Sequence, residues 1–293
     1  MSKLQFVPHI VREYLLPADF EREPEPDLVM DRKDQVSGYL DAGSEGGGMY
    51  IVHLFHAAHM TQTMEGARKV VDLACGPATQ LLLLAQLHPS IEFLGVDLSA
   101  PMLEAAERRA AALGLRNVRF EQCDITDLRA VPAGTFDVVS STMALHHLPT
   151  LDHLRRCFAE IARVLPASGR VYIGDLIRFR RRSTVYFMAN HSADTQNKVF
   201  NDDFRNSMLA AFTRADFEAL RAKYLPACRS YSARPLQLFH ILKSDGPRLA
   251  PAWRAAFAAK RAALPDRLRR DLDDLRFFFR LGGLSTDPFV QAA

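Results

Sequence analysis

Two acidic residues, each closing an apolar run, bracket a turn of small residues in this 293-residue chain. Asp72 ends Val70-Val71-Asp72-Leu73, and Ala74-Cys75-Gly76-Pro77-Ala78 leads into the helical apolar run Leu81 to Leu87. This is the grammar of a strand, a tight turn and a helix N-terminus. A helix start there offers unpaired backbone N–H groups to a polar ligand. The small side chains of Ala74, Gly76 and Ala78 leave the backbone open to that ligand. Of the three, glycine alone takes a left-handed conformation at no steric cost, so Gly76 is the expected hinge. A second run, Ile91 to Asp97, also ends in an acid, about twenty residues after the turn, where a carboxylate accepts both hydroxyls of a ribose. The pair suggests a nucleoside-bearing cofactor. The glycines do not follow G-x-G-x-x-G, which argues against a nicotinamide dinucleotide.

Further along, Ser140-Ser141-Thr142 ends another apolar run, and His146 and His147 follow it. A histidine near neutral pKa suits a general base, but both rings also suit a loop-shaping role with a cap on the next helix. Asp175, at the end of the fifth apolar run, is the other candidate for acid–base work; Tyr172, Tyr186 and His191 are weaker ones. Phe and Tyr residues over 179–204 suit either an aromatic pocket for a flat or cationic substrate or simple core packing. Metal binding is not expected. The four cysteines show no C-x-x-C spacing, and no H-x-x-x-H occurs.

The ordered set Asp72-Leu73-Ala74-Cys75-Gly76-Pro77-Ala78, Gly95-Val96-Asp97-Leu98-Ser99 with Met102-Leu103, Cys123-Asp124-Ile125, Phe136-Asp137-Val138-Val139-Ser140 with Leu145-His146-His147-Leu148, and Arg163-Val164-Leu165 before Gly169 resembles the class I S-adenosylmethionine-dependent methyltransferases. The resemblance spans roughly residues 65–245. It departs where Ala74 and Ala78 replace glycines common in the family and Pro166-Ala167-Ser168-Gly169 replaces a Pro-Gly-Gly turn. The resemblance implies S-adenosyl-L-methionine as cofactor. Asp72 would take its ammonium, and the backbone of Ala74, Cys75 and Gly76 its carboxylate. Asp97 would hold the ribose. Leu98, Met102 and Ile125 would face the adenine, with Asp124 accepting from its amine, and Ser140 would lie beside the sulfonium. The plainer alternative for Asp97 and Asp124 is strand capping by turn formers. Tyr39, Tyr50 and His53, on helices ahead of the first strand, become lid residues or flank packing, and Tyr186 and His191 substrate-side residues.

The expected reaction is methyl transfer to a small-molecule acceptor, as in secondary metabolism, with His146, His147 or Asp175 as base where one is needed. The same cofactor site also serves aminocarboxypropyl transfer, cyclisation to azetidine-2-carboxylate with release of methylthioadenosine, or cofactor binding without catalysis.

The elements that position these residues alternate. Strands at 69–73, 91–96, 118–122, 136–141 and 170–175, with helices between them, predict an α/β Rossmann-like sheet covered on both faces. A hairpin of 229–233 and 236–242 completes a seven-stranded mixed sheet with its final strand reversed. Residues 1–66 read as an arm rich in proline followed by a helical lid. Residues 67–245 read as the cofactor-binding domain with an irregular insert at 176–225. Residues 246–293 read as a helical extension. Leu268, Leu272, Leu275 and Phe279 form one apolar face there, to be buried on the chain's own domain or in a homodimer. Within 1–28, Ile10 to Leu16 suits a short helix in an otherwise partly ordered arm.

Net charge is +3, which makes no electrostatic case for nucleic acid. Arg178, Arg180, Arg181 and Arg182 suit a solvated loop or an anion site. Unpaired cysteines without a secretory leader predict a cytoplasmic protein, and no apolar run is long enough for a membrane span.

Overall fold

In the computed structural model, residues 3–26, 31, 33–44, 46–191 and 198–290 are described. Three helices precede the sheet: α1 (Val7–Leu15), α2 (Lys33–Gly43) and α3 (Tyr50–Thr63). The alternating part runs β1 (Lys69–Leu73), α4 (Thr79–Leu87), β2 (Glu92–Asp97), α5 (Ala100–Ala112) and β3 (Val118–Gln122). It continues through β4 (Val138–Thr142), a 3-10 turn at Leu145–His147, α6 (Leu151–Val164) and β5 (Arg170–Leu176). Then follow α7 (Arg182–His191), α8 (Lys198–Ala210), α9 (Arg214–Tyr224), β6 (Cys228–Ser232), β7 (Phe239–Ser244), α10 (Pro251–Ala263) and α11 (Asp266–Leu281).

The strands form one sheet in the order β3-β2-β1-β4-β5-β7-β6. β1 to β5 are parallel, and β7 runs antiparallel to both β5 and β6. This is the expected Rossmann-like mixed sheet. The order reverses between β1 and β4, so connections leave their carboxyl ends in opposite directions and open a crevice there. Asp72 on β1 and Ser140 on β4 are register partners at that point.

Several boundaries differ from expectation. β3 is an edge strand: Arg119 and Glu121 alternate outward, so it is not apolar on both faces. β7 begins at Phe239, beyond Pro235, which lacks the N–H that a ladder needs. The insert at 176–225 is not irregular, since α7, α8 and α9 occupy most of it. Asp202 lies inside α8 and caps nothing, whereas Thr213 forms a full capping box with Asp216 on α9. Ser99 caps α5, accepting from the Met102 N–H.

α3 is no surface flap. Apart from the half-buried Tyr50 and His53 its residues are buried, and it lies across the sheet beside α4 and α11. Gly174 on β5 makes that approach possible, because a Cβ there would meet the His56 ring at 2.5 Å. The apolar face of α11 closes over the same region, with Phe279 stacked on Phe55 at 5.0 Å between centroids. Leu268, Leu272, Leu275 and Phe279 thus belong to one core with α3 and the sheet. The face that suggested a homodimer is covered by the chain itself.

Phe279→Ala should cost about 3–5 kcal/mol of stability, as for other large aromatic truncations in a core. The check is a urea titration, in which the midpoint falls and the slope holds.

Candidate functional site

A cavity of about 1380 Å³, its open mouth included, lies over the carboxyl ends of the strands at the β1/β4 crossing. Its lining follows strand order across the sheet. Asp97, Leu98, Met102, Asp124 and Ile125 stand at the β2 and β3 tips. Asp72, Ala74, Cys75 and Gly76 stand at the β1 tip. Beyond β4 and β5 lie Met143, His146, His147, Leu176 and a face of α8.

The turn after β1 is more strained than expected. Ala74, Gly76 and Ala78 all have left-handed backbone, with φ of 54°, 54° and 56°. The alternation coils the chain tightly, and two alanines bear it without a glycine's freedom. Gly95 on β2 lets the turn sit so close, because a Cβ there would lie 2.8 Å from the Cys75 sulfur. No side chain caps the start of α4 at Ala78, so its first N–H groups face the cavity side of the turn unpaired by any cap. The Gly76 N–H is not among the free donors. It donates to Asp97 Oδ2 at 2.7 Å, while the Ser99 N–H donates to Asp97 Oδ1 at 2.9 Å.

Asp72 is 5 % exposed. Ser140 donates to its Oδ1 at 2.7 Å from below, and burial pushes its pKa up to about 7. Asp97 is likewise raised by burial, against the pull of its backbone donors. Ser140 is therefore a support beneath Asp72 and does not line the cavity.

Across the crevice, the 3-10 turn presents His146 and His147. His146 is 2 % exposed. Asp175 accepts from both its backbone N–H at 3.1 Å and its Nδ1 at 2.5 Å. Nε2 of this cavity-lining ring is buried, with no hydrogen-bond partner among the described residues. Burial works to lower the His146 pKa, but Asp175, with help from Glu25 and Asp203, outweighs it and the net shift is upward. His147 is pushed well below its usual range, by burial and then by His146 and Arg22. Neither ring caps α6, since Thr150 does so through the His153 N–H.

Of the residues expected from sequence, Tyr39 and His53 also reach the cavity. Tyr50, Tyr186 and His191 do not. Tyr50 packs against the core, and Tyr186 is 44 % exposed on α7. His191 packs on Phe6 and Phe187. Asp175 lies behind His146 rather than on the cavity wall.

Sequence reading placed the arm's short helix and the aromatic residues over 179–204 but missed what the arm and α8 contribute to the cavity. Arg22 sends its guanidinium to four carbonyls, those of Pro149, His146, Leu148 and Ala210, over the Phe212 ring. It thereby fixes the histidine turn from outside. Glu25 accepts from Ser207 at 2.8 Å and lies 3.7 Å from His147 Nδ1. Glu25, His146 and His147 each hold a ligand-type atom within 4.8 Å of one another. The basic run is no solvated loop: Arg180 and Arg181 donate to Glu13, and Arg181 and Arg182 pair with Asp19 and Glu23. On α8, Phe200, Asp203, Phe204 and Ser207 share one helical face toward the cavity, and the Tyr39 hydroxyl donates to Asp203 Oδ2 at 3.1 Å. The spacing of 200, 203, 204 and 207 was a readable signal. The arm's long-range bonds had none.

An open α/β sheet with a ligand crevice at its switch point defines a Rossmann-like nucleotide-binding class. A family model described as a methyltransferase domain matches residues 70–169. Over that stretch, about a third of its length, the chain is similar to the methyltransferase-domain family. It is 46% identical over 87 residues to the trans-aconitate 2-methyltransferase of Deinococcus radiodurans, covering 30% of each chain. It is 29% identical over 190 residues to the malonyl-[acyl-carrier protein] O-methyltransferase of Legionella pneumophila, covering 62% of this chain and 61% of the other. The first curated relatives are spanned over only 25 to 32% of their length. The plantazolicin methyltransferase BpumL, solved with a triazolic desmethylPZN analog and SAH, shares the fold at TM-score 0.52 and 14% identity, over 72% of this chain and 92% of that one. Among the described residues, no helix is long and apolar enough to cross a membrane.

Two outcomes follow from the geometry. Ala74→Gly relieves the left-handed strain and should raise stability by about 1 kcal/mol, read in the denaturant midpoint. Arg22→Ala strips one charged donor from four carbonyls and should cost about 3 kcal/mol. In hydrogen exchange, the Glu23 amide, which donates to Leu209 O, should lose protection with it.

Proposed function

We propose that the chain is an S-adenosylmethionine-dependent methyltransferase acting on a small molecule. One observation carries this reading. Asp72, nearly water-free and held by a single hydroxyl, shares a cavity with a strained small-residue turn, an uncapped helix start and Asp97. The site has complementary partners for each end of the cofactor. Asp72 suits an ammonium, the α4 N-terminus a carboxylate, and Asp97 a ribose through the lone pairs its backbone donors leave free. Leu98, Met102 and Ile125 supply apolar faces, and Asp124 an acceptor for an amine. When bound, the cofactor supplies an electrophilic methyl carbon.

The chain's own contribution is alignment. The β1 tip and the histidine turn face each other across the crevice, so a small acceptor between them is held in line and screened from water. His146 is the proton acceptor in this reading: Asp175 fixes Nδ1–H and leaves Nε2 toward the cavity. His147, kept neutral by burial, supports it. Relatives named for trans-aconitate and demethylmenaquinone support a small-molecule acceptor.

Calorimetry with S-adenosylmethionine tests the site. Micromolar binding, about −8 kcal/mol, is expected, with at least a tenfold loss in Asp97→Ala. An ammonium favours the ionised form of Asp72 and lowers its pKa from about 7. Binding at or below neutral pH should therefore release a proton, and affinity should fall as pH drops below 7. Absence of binding to ligand-free protein would overturn the reading, and methylthioadenosine in place of S-adenosylhomocysteine as product would overturn methyl transfer.

A further inference from the structure

The described residues lining the cavity include four carboxylates, Asp72, Asp97, Asp124 and Asp203, and neither lysine nor arginine. The proposed cofactor uses three of them. The fourth, Asp203, stands on α8 at the opposite end, beyond β4 and β5. Burial raises its pKa, against the pull of the Tyr39 hydroxyl and the more distant His146. The nearest arm cation, Arg22, is spent on backbone carbonyls. Phe200 and Phe204 flank Asp203 on the same helical face, with Tyr39 and Phe200 rings 6.3 Å apart. A second feature stands at this end. His146 Nε2 is buried, lines the same cavity and has no hydrogen-bond partner among the described residues.

Resting on the reading above, we propose that the methyl acceptor is a primary or secondary amine that enters as its ammonium. Asp203 and Tyr39 hold a cationic group, and the aromatic faces of Phe200 and Phe204 add cation–π attraction. An acceptor bearing a carboxylate or phosphate would meet this carboxylate with no lysine or arginine among the described lining residues to offset it. His146 Nε2 takes a proton from the ammonium, freeing the nitrogen lone pair. That pair forms the new N–C bond as the C–S pair returns to sulfur, leaving a neutral thioether and an N-methylammonium. The groups that face His146 are Asp175 from β5, Glu25 and Arg22 from the arm, Asp203 from α8 and His147 beside it.

The test uses three probes of one shape on the full chain saturated with S-adenosylhomocysteine: phenethylamine, 2-phenylethanol and 3-phenylpropanoate. Saturation-transfer NMR and calorimetry should show the amine binding at least tenfold tighter than the alcohol, with the carboxylate weakest. Asp203→Asn should erase that preference, Asp203→Glu should keep most of it, and both should retain wild-type affinity for S-adenosylhomocysteine. At saturating S-adenosylmethionine, amine methylation should fall at low pH, and His146→Asn should lower the rate at neutral pH and move that limb upward, toward the amine's own pKa. Equal binding of the three probes, or an unchanged preference in Asp203→Asn, would overturn the amine assignment while leaving the cofactor site intact. Failure of S-adenosylhomocysteine to bind the wild-type chain would instead overturn the reading beneath it.

Discussion

The whole site depends on keeping one carboxylate, Asp72, out of water at the β1/β4 crossing. A carboxyl in that position is held near pH 7 by burial, with only the Ser140 hydroxyl to favour its charge. That arrangement is possible because β1 and β4 are register neighbours and Asp72 pairs with Ser140. The topology therefore sets the electrostatics. At the switch point two strands diverge, the crevice opens, and the buried charge faces the one region where a ligand can approach it.

The strained turn is the other consequence of the same geometry. The chain must leave β1, coil beneath a ligand and enter α4 within five residues, Ala74 to Ala78. Alternate left-handed residues achieve this, at about 1–2 kcal/mol for each alanine. The strain leaves the α4 N-terminus uncapped and the backbone bare. Asp97 braces the coil by accepting from Gly76 and Ser99, so the proposed ribose ligand is also the turn's internal strut.

These parts were legible in sequence because they are local. Apolar runs ending in acids fix a parallel strand's tip, and the acids then fall at the same edge of the sheet. Asp72, Asp97 and Asp124 reach one cavity for that reason. The histidine turn was legible as a place, but not in its working parts. Nothing in the spacing of His146 and Asp175 says which nitrogen the carboxylate takes. The arm was legible only as a short helix, which α1 bears out, and its partners were not legible at all. Pro17, Pro24 and a scatter of charges look like a loose segment, yet Glu13, Asp19 and Glu23 meet the run Arg180-Arg181-Arg182 more than a hundred residues on. Charge patterns without periodicity carry no address for their partners.

The two halves of the cavity are held by different physics. The cofactor side rests on sheet register and a covalently short turn, so its geometry is built into the core. The far side is assembled from the arm, α2, the histidine turn and α8, joined mainly by polar bonds across the chain. Arg22 is the keystone of that side: one side chain spans the histidine turn and the C-terminal end of α8. Two halves held so differently can change independently: contacts on the arm and α8 can be exchanged side chain by side chain, while Asp72 and its turn stay as the fold dictates.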